Sequence, residues 1–235
     1  MDHSDATSDA HFKGSAVVRD IILGMSDGLT VPFALAAGLS AAVDSSFIVL
    51  VAGIAELAAG SIAMGLGGYL AGRSDRDHYR AELAREQRHI QRAPEAERAE
   101  VREILAAYGL RDKTLDSAVG AITANPRTWI HFMLRNELDL ERPAPARARN
   151  SALTIGLSYI AGGILPLVPY AMRLAVPVAL AWSAGLTLAA LLTFGAAKGK
   201  VTGIRMLRAS VETAVVGSLA AASAYFLARL VNRFG

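Results

Sequence analysis

Residues 47–70 read FIVLVAGIAELAAGSIAMGLGGYL, twenty-four residues with one charge, Glu56, and the chain then turns at once to AGRSDRDHYRAELAREQRHIQR over 71–92. About 20 apolar helical residues are enough to cross the roughly 30 Å hydrocarbon core of a bilayer. The first stretch therefore reads as a membrane span and the second as a helix that has come out into water. The same switch organises the whole chain. Of its 45 Asp, Glu, Lys and Arg residues, 28 fall within 71–150, and long stretches on either side are nearly free of charge. With 53% hydrophobic residues and a positive mean hydropathy, the composition excludes an ordinary soluble domain.

Four further stretches are long and apolar enough to span: about 17–42, 151–169, 174–194 and 211–230. The predicted fold is all-α, a multi-pass membrane protein with five transmembrane helices and a water-facing helical insert between the second and third. The expected organisation is a disordered polar tail over 1–14, spans one and two within 15–72, the insert over 73–142 and spans three to five within 150–235. Pro166 and Pro169 are expected to end the third span and open a tight hairpin into the fourth, because proline removes a helical hydrogen bond.

Orientation follows from the basic residues, which are retained on the cytoplasmic side. The first connection, near Asp44-Ser45-Ser46, has none, whereas residues 71–150 hold 15 and the fourth connection holds Lys198, Lys200, Arg205 and Arg208. Lys13 and Arg19 precede span one, and only Arg173 lies in the connection after span three. The N-terminus and insert are thus predicted in the cytoplasm and the C-terminus outside; Arg229 and Arg233 at that end speak weakly against it. The acidic stretch from Met1 to Lys13 has no apolar core before a small-residue cleavage site, so no removable signal peptide is expected. With no organelle-targeting segment visible either, a short chain without cysteine fits a bacterial inner (plasma) membrane better than a vacuole, and that is the expected location if the source is bacterial. The absence of cysteine excludes disulfides, thiolate metal sites and Cys nucleophiles. A net charge of +3 does not point to nucleic acid, because the insert's bases alternate with acids.

Within the insert, breaks at Pro94, Gly109 and Asn125-Pro126 divide helices at about 74–92, 94–108, 112–124 and 126–140, the first of which is able to continue span two without a break. Both prolines suit a first turn, where a missing N–H costs nothing. Arg142-Pro143-Ala144-Pro145 reads as a linker.

Two constellations carry chemistry. Asp27 lies about ten residues into span one, hence roughly 15 Å deep at 1.5 Å per residue. An ionisable group at that depth is costly unless it faces a wet path or another helix, so it is a functional candidate; a protonated Asp in an interhelical hydrogen bond is the alternative. Pro32 frees the carbonyl of Gly28 beside it, and a carboxylate with a loose carbonyl suits a hard cation. Span two adds Glu56 and Met64, able to line one path at different depths, although a membrane methionine is more often packing.

In the insert, Glu82, Glu86 and His89 share a helix face at i, i+4, i+7, and Glu97, Glu100 and Glu103 follow at i, i+3, i+6. Like charges at such spacing repel by a few tenths of a kcal/mol per pair, and a bound divalent cation would relieve that. Met133 and Glu137, four apart, are able to complete an oxygen-rich site. An ordinary charged helix surface is the alternative. His3 and His11 fall in the tail expected to be disordered, His78 and His131 lack carboxylate company at helical spacing apart from Asp75 near His78, and all four are read as bland.

The stretch Val18-Arg19-Asp20-Ile21-Ile22-Leu23-Gly24, running into Ser26-Asp27-Gly28-Leu29-Thr30-Val31-Pro32-Phe33-Ala34-Leu35-Ala36-Ala37-Gly38-Leu39, resembles the first span of the vacuolar iron transporter family. The resemblance continues through Glu56, Met64 and the Glu-rich insert, covering nearly the whole chain beyond the tail. It implies a homodimer with five spans per subunit, an ion path between subunits near spans one and two, and export of cytosolic metal coupled to proton entry. It also implies that Asp27, Glu56 and Met64 line the path and that Glu86, Glu97, Glu100, Met133 and Glu137 collect metal. His89 departs from the family pattern, which has a glutamate there, and a neutral nitrogen favours softer ions.

The expected function is therefore export of divalent Fe2+ or Mn2+ from the cytosol by proton antiport, with Zn2+, Co2+ and Ni2+ as further cargo and no prosthetic group. Protons and metal would compete for the same carboxylates. A membrane-anchored di-iron oxidase is the rival reading, since Glu86-Gln87-Arg88-His89 is a Glu-x-x-His motif, but such sites use two copies and only one is found. A passive metal channel or sensor differs only in lacking proton coupling.

Overall fold

The computed structural model describes residues 5–234, with side chains from Ala16 onward. Among these residues every regular element is a helix, eight in all. They are α1 (Asp5–Ser40), α2 (Ser46–Arg92), α3 (Pro94–Ala107), α4 (Asp112–Thr123), α5 (Pro126–Asn136), α6 (Arg147–Ala171), α7 (Val176–Thr202) and α8 (Met206–Phe234). Five of them, α1, α2, α6, α7 and α8, are long and apolar enough to cross a membrane. The helix of α1 continues back to Asp5, where an irregular tail was expected over 1–14. Extending an existing helix avoids the cost of nucleation. His3 lies outside the described residues, as does the side chain of His11.

The chain divides into two compact units, one of them Leu70–Ala148 and the other formed by the remaining helical segments. In the membrane unit, α6 packs against α1 and α2 through glycines. A Cβ on Gly28 would overlap the backbone of Tyr159, and one on Gly162 would come within 2.9 Å of the Leu29 nitrogen. Small residues allow this close approach where the hydrophobic effect supplies no drive between helices. Helix α8 packs on α1 and α7, with Leu29, Leu191 and Ala214 at one level and Phe33, Ala37 and Ala221 at another. Outward faces carry exposed aliphatics such as Ile54, Ile62, Leu157 and Leu219, as lipid contact requires.

Pro166 and Pro169 correct the sequence reading: both are buried inside α6, which continues to Ala171. Neighbouring helices re-satisfy backbone groups around a membrane proline, and here the Ser183 hydroxyl of α7 donates to the Pro166 carbonyl at 2.7 Å. The turn comes instead at Arg173, with φ of 55°. Helix α7 runs past the expected residue 194 and stops at Gly203, in the left-handed conformation, where Ile204 N–H donates to the Gly199 carbonyl in a Schellman-type cap.

In the other unit, Val101, Leu115, Val119, Trp129 and Met133 form a small core joined by Ile90 and Leu105. Pro94 and Pro126 occupy first turns, and the Asn125 side chain accepts from Arg127 N–H at 2.9 Å. Helix α5 ends at Asn136 rather than near 140, because the Leu138 N–H turns back to the Met133 carbonyl and Asp139 adopts φ of 50°. Helix α2 is continuous from the apolar run to Arg92, 47 residues without a proline.

Candidate functional site

In the membrane unit the acids expected from the sequence are joined by a residue that was not. The Tyr159 hydroxyl of α6 donates to Glu56 Oε1 of α2 at 2.5 Å, and Gly28, next to Asp27 on α1, packs directly on the Tyr159 backbone. Three helices thus meet at one tyrosine. The second oxygen of Glu56 is buried with no hydrogen-bond partner. Gly60, one turn along α2, keeps the spot clear: a Cβ there would meet the Tyr159 ring and come within 2.8 Å of Glu56 Oε1. Asp27, Glu56 and Met64 are all half-buried. Gly28 and Pro32 are fully buried, and the carbonyl of Gly28 faces Gly163 of α6, so packing holds it in place. The sequence carries no distinguishing signal for Tyr159, since its partner Glu56 lies 103 positions away.

In the Leu70–Ala148 unit, three helices bring Glu86, His89, Glu97, Glu100 and Glu137 within electrostatic reach of one another. Glu86 and Glu97 are 4% and 5% exposed, and Oε2 of each is buried without a partner. The other oxygen of Glu97 stands 3.4 Å from His89 Nδ1. Glu86, Glu97 and Glu137 all have pKa values raised from 4.5, in each case mainly because burial penalises the charged form. The next contribution comes from neighbouring carboxylates: Glu97 acting on Glu86, Glu100 on Glu97, and Glu86 on Glu137. Among the described residues no three His, Asp or Glu side chains stand ready around one metal ion; a cation would have to draw these carboxylates inward.

Glu82 is engaged differently: its carboxylate pairs with Arg85 at 3.4 Å, and it is not among the leading influences on the other three. Helical spacing put it on their face, but the i+3 arginine takes its charge. Met133 is 0% exposed within the apolar core, one turn before Glu137. His131, read as bland, borders a cavity described below.

Comparison with known proteins follows the same outline. The sequence profile of the VIT family matches residues 18–229. Vacuolar iron transporter 1 of Arabidopsis thaliana is 53% identical over 228 residues, 97% of this chain and 91% of that protein. Vacuolar iron transporter 1 of Oryza sativa subsp. japonica is 52% identical over 222 residues, 94% and 88%. Protein CCC1 of Saccharomyces cerevisiae is 38% identical over 224 residues, 92% and 69%. With its five helices of spanning length and a profile match over nearly its whole length, the chain is a multi-pass membrane protein belonging to the VIT family.

Proposed function

We propose that the protein exports divalent iron from the cytosol by exchange for protons. The observation that carries the reading is the Glu56 carboxyl in an apolar span, one oxygen held by Tyr159 and the other unpartnered, beside Asp27. An ionisable pair at that depth suits a group that holds either a proton or a metal ion, because burial disfavours the bare charge and a cation restores it. The relatives' names supply the cargo, iron. In this account Asp27, Glu56 and Met64 line the path. Glu86, His89, Glu97, Glu100 and Glu137, with Met133 beside them as a soft donor, gather metal on the cytosolic side. Mn2+, Co2+, Ni2+ and Zn2+ are secondary cargo, and His89 tilts the cluster toward the softer of these.

The topology that suits this direction puts the N-terminus and insert in the cytosol and the C-terminus across the membrane. The names of the plant relatives favour a vacuolar membrane over the plasma membrane expected from the sequence. A homodimer is part of the proposal: Ala55, Ala59, Ala63 and Gly67 form a stripe of small, exposed residues at every fourth position of α2, on the helix that carries Glu56 and Met64. Such a stripe lets a second α2 approach closely.

The test is Fe2+ uptake into proteoliposomes containing a pH-sensitive dye. Uptake accompanied by proton counterflow, and abolished in Asp27→Asn while the insert still binds metal, is the expected result. Uptake without any pH change would make the protein a channel, and normal uptake in Asp27→Asn would remove Asp27 from the path.

A further inference from the structure

A cavity of about 580 Å3 in the Leu70–Ala148 unit is bordered by four arginines, Arg76 and Arg80 from α2, Arg127 from α5 and Arg142 from the segment before α6. No aspartate or glutamate lines it. Three of the four have no carboxylate within 4.0 Å among the described residues, and the Nε of Arg76 is buried with no acceptor at all. Arg80 reaches only Asp77, at 4.0 Å, and Arg73 competes for that carboxylate at 3.6 Å. Other arginines of this unit do find a close carboxylate, as Arg98 does with Glu95 at 3.1 Å and Arg102 with Asp116 at 2.6 Å.

A cluster of like charges around a hollow is unfavourable by itself, and a buried guanidinium N–H without an acceptor is rare in folded proteins. Both are resolved by a ligand with several anionic oxygens. Guanidinium groups present a planar fork of donors that matches phosphate oxygens two at a time. Tyr79 and His131 add polar groups to the lining, and Leu83, Ile130 and Leu134 add apolar surface. Phosphate carried on an organic body fits this combination better than a bare inorganic ion.

We propose that this cavity binds a phosphate-bearing polyanion, at a site separate from the carboxylate cluster of the same unit. Two sources share the chemistry. Arg76 follows the apolar run of α2 by six residues, about 9 Å of helix, and Arg142 precedes α6 by five. Two of the arginines are thus close along the chain to membrane spans, where an anionic lipid headgroup is available, and soluble polyphosphates are available in the cytosol. The inference is independent of what the protein transports.

The test uses the full-length chain in metal-free buffer, with thermal unfolding followed by tryptophan fluorescence. One arm adds inorganic tripolyphosphate to protein in phosphatidylcholine nanodiscs; the other compares those discs with discs doped with phosphatidylinositol bisphosphate. A saturable rise of several degrees in the unfolding midpoint is expected, lost in Arg127→Gln/Arg142→Gln and kept in Lys198→Gln/Lys200→Gln, which removes equal charge elsewhere. Arg127 and Arg142 are exposed, so their variant should unfold at the wild-type midpoint without ligand. A response to tripolyphosphate identifies the soluble source, and one confined to the doped discs identifies the lipid. No response in either arm, or an undiminished one in the double arginine variant, overturns the proposal.

Discussion

At the scale of single residues, the most informative atom is the hydroxyl of Tyr159. It is the donor to Glu56, whose other oxygen has none. Tyr159→Phe keeps the ring and deletes the bond. A hydrogen bond to a charged group contributes about 1.5–3 kcal/mol, so initial Fe2+ uptake should fall roughly tenfold or more, where 1.4 kcal/mol is tenfold. A structural role alone would lower the unfolding midpoint and leave the pH profile of uptake where it was; a shifted profile supports the path role. In the insert, Glu86→Gln should raise the stability of the metal-free protein, since it removes a buried charge that neighbours Glu97 and Glu100, while weakening metal binding. Isothermal titration with Co2+, paired with thermal unfolding, checks both signs at once. None of this could be read from Tyr159 in isolation. A tyrosine in an apolar run is commonplace, and its partner is 103 positions away in the chain.

At the scale of elements, the seam between α1 and α6 rests on glycine. Gly162→Leu would drive a side chain into the α1 backbone at Met25 and Leu29. Overpacking of this kind costs about 1–3 kcal/mol. Gly185→Leu on α7, where nothing lies within 4 Å of a new Cβ, should be neutral, and midpoints of the two variants in detergent decide the matter. The five spans were legible because hydropathy over about 20 residues is a strong signal, as were the helix starts at Pro94 and Pro126. Pro166 and Pro169 misled because the rule that proline stops a helix belongs to helices in water. A buried helix has no competing solvent, and Ser183 engages the Pro166 carbonyl from the next helix. The pairing of Glu82 with Arg85 was hidden for a simpler reason: helical spacing gives a face, and does not say which of two neighbours a carboxylate will turn toward.

At the scale of the molecule, metal and protons should compete visibly for the insert. Glu86, Glu97 and Glu137 have pKa values raised above 4.5, so the folded state holds protons more tightly than the unfolded one. Without metal, stability is therefore greatest below the ordinary carboxylate range and declines as pH rises through the raised values. With metal the sign reverses, because binding requires the carboxylates free of protons. Midpoints measured against pH with and without Mn2+ should diverge as pH rises, and parallel curves would mean that these groups do not bind it. The assembly is tested separately: Ala59→Leu in the exposed stripe of α2 should convert dimers to monomers in light scattering of detergent-solubilised protein.

The bare-backbone contact between α1 and α6 also limits how the protein is able to move. Knobs of leucine or isoleucine offer alternative seatings and let one helix slide over another. Two backbones in direct touch have no second seating, so these two helices must travel as one body through every stage of a transport cycle. Because the chain holds no cysteine of its own, a pair of thiols placed across that junction can be locked by oxidation with no competing disulfide. Such a lock should leave turnover intact, whereas arrest of turnover would show that the two helices part.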